Sequence, residues 1–138
     1  MITIHILQFL IDNLDGLNAI DTDCWFENMP LDKYGLLIVS TSGIKSRGVR
    51  TASQNFDLYY RHDKSNVVAV KMLEDIVQLL SASYGNACTL PAVPKYSDRT
   101  YSRVVFDSIT TIENLGENSN GRVLFRIGAR VIFNKEQS

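Results

Sequence analysis

The chain has 138 residues, 45% of them apolar and 21% charged, which is enough to bury one compact core and too little for two independent domains. Its 14 lysines and arginines oppose 15 aspartates and glutamates, a net charge of −1, so no global field draws it to nucleic acid or anionic lipid and any such binding has to be local. Eight glycines and three prolines without compositional bias exclude collagen-like, low-complexity and wholly disordered classes.

The amino-terminal stretch MITIHILQFLIDNLDGL has no basic n-region and no small-residue cleavage site, and Gln8, Asp12 and Asn13 interrupt its apolar residues. It is therefore expected to stay on the mature chain. Within it Ile4, Leu7, Leu10, Ile11 and Leu14 recur at helical steps. This predicts an amphipathic helix over 3–14, capped by Thr3 and ended by a left-handed Gly16. Cys24-Trp25-Phe26 is a short apolar stretch before Pro30, and the run from Tyr34 to Val39 reads as a buried central strand. SGIKSRGVRTASQ then predicts a flexible loop or hairpin. It leads into a half-buried strand with Phe56, Leu58 and Tyr60 on one face and Asn55, Asp57 and Arg61 on the other.

A second helix is predicted over 65–84, with Ser65 as cap, Ala69, Leu73, Ile76, Val77 and Leu80 as its apolar stripe, and Gly85 just past its end. Residues 89–99, with two prolines, predict an irregular connection. Two strands follow, at about 101–113 and 121–133, separated by NLGENSN as a wide hairpin turn. In the last strand the odd positions from Val123 to Phe133 are all apolar, while Arg122, Arg126 and Arg130 occupy even ones. The sum is an α+β fold in one domain, residues 1–138: an antiparallel or mixed sheet with two α-helices packed on one face.

No apolar run approaches the roughly 20 residues that span a bilayer, so no membrane insertion is expected. Cys24 and Cys88 lie far apart, without a neighbouring thiol or histidine at metal spacing. They fit a reducing, cytosolic setting in which cysteine acts as a small hydrophobe. A metal site would require those cysteines, His5 and His62 to converge by folding alone. His62 beside Asp63 resembles part of a catalytic triad, but adjacent residues at a strand end point apart and no nucleophile elbow is present, so a solvated polar turn is the better reading. Asp12, Asp15, Asp21 and Asp23 lack the ligand order of a calcium loop. SGIKSRG has the wrong spacing for a phosphate loop and precedes a strand. The expectation is a chain without catalytic residues, cofactor or metal.

Two features rise above this background. The first is the loop carrying Lys45, Arg47 and Arg50, because no acidic residue occurs between Lys33 and Asp57. Such a loop docks on an acidic protein surface or on phosphate, or is merely an exposed hairpin tip. The second is the row Arg122, Arg126 and Arg130. Side chains four residues apart on a strand lie about 13 Å from one another. With Leu124 and Ile132 on the same face, the row reads either as a surface that packs on another subunit or as a solvated sheet face salt-bridged to Glu113 or Asp107. An uncovered second sheet face favours the subunit surface.

The order of these motifs resembles the minor capsid and tail terminator proteins of long-tailed bacteriophages, over about residues 2–133. An amino-terminal helix, a segment ending near Pro30, a buried strand and a glycine-containing hairpin precede NFDLYYRHDKSNVVAVKMLEDIVQLL. There Phe56, Leu58, Tyr60 and Arg61 to Asp63 lead through a polar turn into the long helix, and GRVLFRIGARVIF resembles the closing hairpin. The chain has only Ser42-Gly43 where paired glycines often follow the central strand. The resemblance implies a non-catalytic virion protein, assembled in the host cytoplasm and located at the head-proximal end of the tail. There a homo-oligomeric ring, commonly a hexamer, contacts the tail tube protein and the head connector or stopper. Membranes and sequence-specific nucleic acid are not expected partners. The alternatives are another head–tail connector protein, a nucleic-acid-binding module using Lys45, Arg47, Arg50 and Tyr59, and a small enzyme built on His62 and Asp63.

Overall fold

A computed structural model of the protein describes residues 2–28 and 33–135; Pro30 lies outside the described residues. Helix α1 spans Ile2–Asn13 and is buried on nearly every side, Thr3 and His5 included, so it is a core helix and not the amphipathic surface helix predicted. Thr3 is not its cap. It sits one residue inside the helix, and its hydroxyl donates to Glu27 Oε1 at 3.2 Å. The end is as expected: Asn13 Nδ2 donates back to the Phe9 carbonyl, and Gly16 turns the chain at φ +92°.

Strands β1 (Cys24–Phe26) and β2 (Gly35–Ser40) pair in parallel, with Cys24 opposite Leu36. Their approach depends on Gly35, at φ +141°, where an added Cβ would lie 2.1 Å from the Asp23 carbonyl oxygen. The next two strands are β3 (Lys45–Ser46) and β4 (Thr51–Arg61), and both β2 and β3 pair antiparallel with β4. Of the predicted loop or hairpin, the structure has the hairpin, and a long one. Its first arm is β2 and β3, interrupted at 41–44, and Thr51 to Gln54 belong to its second arm.

Helix α2 spans Asn66–Ser81 and begins as predicted, with Ser65 Oγ accepting the Val68 N–H at 3.2 Å. It buries Ala69, Met72, Leu73, Ile76 and Leu80, with Val77 at the margin, and a 3-10 turn over Ala82–Tyr84 leads out of it. There the buried Ser83 Oγ donates to the Leu80 carbonyl at 2.7 Å and accepts the Phe106 N–H at 2.9 Å, tying the helix exit to the sheet.

The segment expected to be irregular contains a short strand, β5 (Cys88–Leu90), paired with β6 (Tyr101–Asp107). The two long strands predicted next are three. Strand β6 stops at Asp107, β7 (Glu113–Glu117) follows, and both pair with the same side of β8 (Val123–Asn134). Ser108, at φ 53°, takes the chain out of the sheet. Thr110 holds the gap closed: its N–H donates to the Gly128 carbonyl at 2.9 Å, and the Gly128 N–H donates to its Oγ1 at 2.8 Å. Four residues of the predicted turn, Asn114 to Glu117, are therefore strand. The remainder is an ordered turn in which Asn118 Oδ1 accepts the N–H groups of Asn120 and Arg122, and Tyr34 Oη takes Nδ2 donors from Asn118 and Asn120.

The eight strands form a mixed sheet in the order β1-β2-β4-β8-β6-β5, with β3 extending alongside β4 and β7 alongside β8. The Tyr34–Val39 run thus lies next to an edge, and β4 and β8 are the central strands. Both helices bury their apolar sides in one core with Leu36, Ile38, Phe56, Leu58, Phe106, Ile127 and Val131, so they cover the same face of the sheet. Helix α1 touches β1 and β2 at one edge and β5 at the other, so the sheet curves around it. The small Ala129, paired with Phe56, leaves room for Phe56 and Phe106 to meet edge to face at 5.9 Å.

Candidate functional site

The face of the sheet turned away from the helices carries the arginine row. Pairing sets Tyr59 opposite Arg126, Asp57 opposite Gly128 and Asn55 opposite Arg130 across β4 and β8. On the other side of β8, Glu113 faces Arg126 and Asp107 faces Arg130. Arg126 Nη2 donates to Glu113 Oε2 at 2.7 Å and Nη1 to Asp57 Oδ2 at 3.5 Å, while Tyr59 Oη donates to the same Asp57 oxygen at 3.3 Å. Arg130 grips Asp107 with two bonds, Nε to Oδ1 at 2.7 Å and Nη2 to Oδ2 at 2.6 Å. This planar two-point pairing holds the Asp107 carboxyl below its ordinary value and the Arg130 guanidinium above its own; the Glu113 bond does the same for Arg126.

Gly128 separates the two arginines, and the space above it is used: a Cβ there would lie 2.9 Å from Asp57 Oδ1. A small residue at the centre of the row lets Asp57 lie across the strand toward Arg126. The face is thus a ladder of matched charges with partly buried apolar neighbours, among them Leu37, Val39, Leu124 and Ile132. Arg122 stands apart from it, because β8 begins at Val123 and Arg122 belongs to the preceding turn.

Lys45, Arg47 and Arg50 lie together at the far end of the β3–β4 hairpin, where every residue from 43 to 50 is exposed. The turn is closed by the Arg47 N–H donating to the Thr51 carbonyl at 2.9 Å. Lys135 braces it from β8, its Nζ donating to Ser46 Oγ at 2.6 Å and to the Gly48 carbonyl at 2.9 Å. Lys135 adds a fourth positive charge. Among the described residues Lys45, Arg47 and Arg50 make no ion pair, in contrast to Arg126 and Arg130.

The remaining chemistry-bearing residues lie elsewhere, with His62 and Asp63 lining a separate hollow of about 200 Å³. His5 is buried in α1, with its Nδ1 2.8 Å from the Pro91 carbonyl and its ring edge to face with Tyr101 at 5.1 Å. Burial, helped by the charge of Arg99, lowers its pKa, and the neutral ring donates to Pro91. His62 Nδ1 accepts the N–H groups of Lys64 and Ser65, both at 3.1 Å, so it orders the turn that opens α2. Asp63 Oδ1 lies 3.6 Å from the same nitrogen. Burial pushes both thiols up, Cys88 to about 11 and Cys24 further, which leaves them protonated at neutral pH. Among the described residues no three His, Cys, Asp or Glu side chains are grouped to hold a metal ion, and no helix is long and apolar enough to cross a membrane.

One surface feature has no counterpart in the sequence reading. A groove of about 640 Å³ runs between the outer flank of α2 and the 109–112 connection, lined by Val77, Tyr84, Ile109 and Ile112. At Glu74 it meets a second hollow formed by Val67, Val70 and Phe125. Val77 marks the groove in the helical stripe, but Ile109 and Ile112 come to it only because the chain leaves the sheet at Ser108.

The architecture and these surfaces define a two-layer α+β protein whose distinctive chemistry lies on its outer surfaces: an ion-paired sheet face, a cationic hairpin and an apolar groove. Compared with protein-family models and with curated proteins, the chain finds no match.

Proposed function

We propose that the protein is a structural component of a long-tailed phage virion, a tail terminator that closes the head-proximal end of the tail tube as a homo-oligomeric ring and offers its outer surface to the head connector. The observation that carries this reading is the one-sided packing. Both helices cover one face of the sheet, and the other, with Tyr59, Asp57, Arg126, Gly128 and Arg130 at its centre, has no covering layer among the described residues. A charge-matched and partly apolar face suits packing against a neighbouring subunit, because Arg126 and Arg130 are already paired and carry no uncompensated charge into the contact. The order of motifs in the sequence supports the same role.

The deciding experiment is electron microscopy of lysates from phage lacking this gene. Tails of uncontrolled length beside full, tailless heads are the expected result. Tails of normal length would overturn the proposal, and normal tails left unjoined to heads would move the protein to a connector role. Charge reversal at Arg126 or Arg47 is expected to weaken ring formation or tail joining without unfolding the monomer, checked by circular dichroism and by counts of joined particles. Normal joining in both variants would remove the assigned interfaces.

A further inference from the structure

We propose that the cationic β3–β4 hairpin of one copy docks in the apolar groove on the α2 flank of a second copy; this deepens the ring reading above and rests on it. Exposed apolar side chains point to both surfaces. Among the described residues seven large hydrophobic side chains are well exposed, and four of them fall in these two places: Ile44 (59%) and Val49 (92%) on the hairpin, Val67 (79%) and Tyr84 (63%) along the groove. Side chains left in water on a tip and others left in water along a groove both lose contact with water when they cover one another.

Charge agrees with this pairing. The hairpin places Lys45, Arg47 and Arg50 around Ile44 and Val49, all without ion pairs among the described residues. Glu74 is exposed where the two hollows meet, and it too has no ion pair among those residues. Lys71, which also lines the second hollow, is joined to Asp75 at 3.2 Å, so its charge there is paired. Long-range attraction between tip and groove would orient the encounter, and apolar burial would hold it.

Within one chain the two surfaces belong to different flanks of the sheet. Strand β3 lies beside β4 on the β2 side, whereas the 109–112 connection lies beyond β8 on the opposite side of the same sheet. A contact between different patches on opposite flanks is head to tail, and repeated contacts of that kind close into rings or run on as filaments.

Sedimentation velocity on the full chain over a concentration series tests this, with R47E/V49E as the hairpin variant and V67R/E74R as the groove variant. All four substituted residues are exposed, and far-UV circular dichroism checks that both variants fold. The wild type is expected to self-associate, each variant alone to be monomeric, and an equimolar mixture to form a 1:1 dimer and nothing larger, since only one intact tip and one intact groove remain to pair. Association of either variant alone to the wild-type extent, or a mixture that stays monomeric, overturns the contact and leaves the ring to be built through the sheet face. A wild type that stays monomeric at every concentration also overturns it, and tail length in the deletion lysates then judges the ring reading separately.

Discussion

The two faces of the central strands show how one stretch of sequence does two jobs by different physics. On the helix side, Phe56, Leu58, Ile127 and Val131 are fully or almost fully buried and held by packing alone. On the other side, one residue along each strand, Asp57, Arg126 and Arg130 are held by directed ion pairs in partial contact with water. The first face is insensitive to salt and pH and intolerant of lost volume. The second tolerates changes of volume better but depends on charge and spacing. The difference marks the helix side as the fold's own; the open side is the one proposed above for assembly.

The largest expected effect breaks the helix side. Phe56→Ala removes a ring that packs on Phe106 and should cost about 4 kcal/mol in urea unfolding, unchanged in 1 M salt. A loss below about 1 kcal/mol would mean that the core collapses around the gap.

The next effect lies at His5. Its folded pKa is lowered below the ordinary 6.5, so the unfolded chain takes up a proton more readily. The stability that the neutral ring contributes is therefore complete above pH 6.5 and is lost as pH falls from there toward the folded pKa. His5→Gln should flatten this part of the profile, and an unchanged slope in the variant would assign it to another group.

Asp107 sharpens the comparison from the open face. Its carboxyl is held below its ordinary 3.8 by Arg130, so its contribution is present above that value and disappears as pH falls through the lowered one. Asp107→Asn should remove this acid-range loss and reduce the salt sensitivity of unfolding. The smallest expected change in stability is that of Gly128→Ala. The added methyl displaces the Asp57 carboxylate from Arg126 while the core stays intact. Near-wild-type unfolding with weakened ring assembly would separate the jobs of the two faces, whereas a large loss of stability would show that they are coupled through β8.

Much of the fold is legible from local pattern. Alternation along β4 and β8 assigns their faces, Ser65 begins α2, Gly16 ends the turn after α1, and two ion-pair partners of the arginine row, Glu113 and Asp107, are readable as the solvated-face alternative, whereas the third, Asp57, is not. The misreadings share a cause. Thr3 looks like a cap because a threonine before an apolar run usually is one, yet its hydroxyl is taken by Glu27, 24 residues away. NLGENSN has the composition of a turn, but pairing with β8 recruits its first four residues into a strand. The groove was invisible because Ile109 and Ile112 carry no period that links them to α2.

Sequence alone therefore determined the class of fold, the two helices and the inward and outward faces of the long strands, since helix and strand periods are local properties of the chain. Only the tertiary structure decided that α1 is wrapped by both edges of the sheet, that β6 and β7 share one side of β8 through Thr110 and Gly128, and that Arg126 and Arg130 are paired while the arginines of the hairpin, among the described residues, are not. These depend on which distant segments meet, and a side chain's partner across the sheet is set by register and curvature, which no window of neighbouring residues contains.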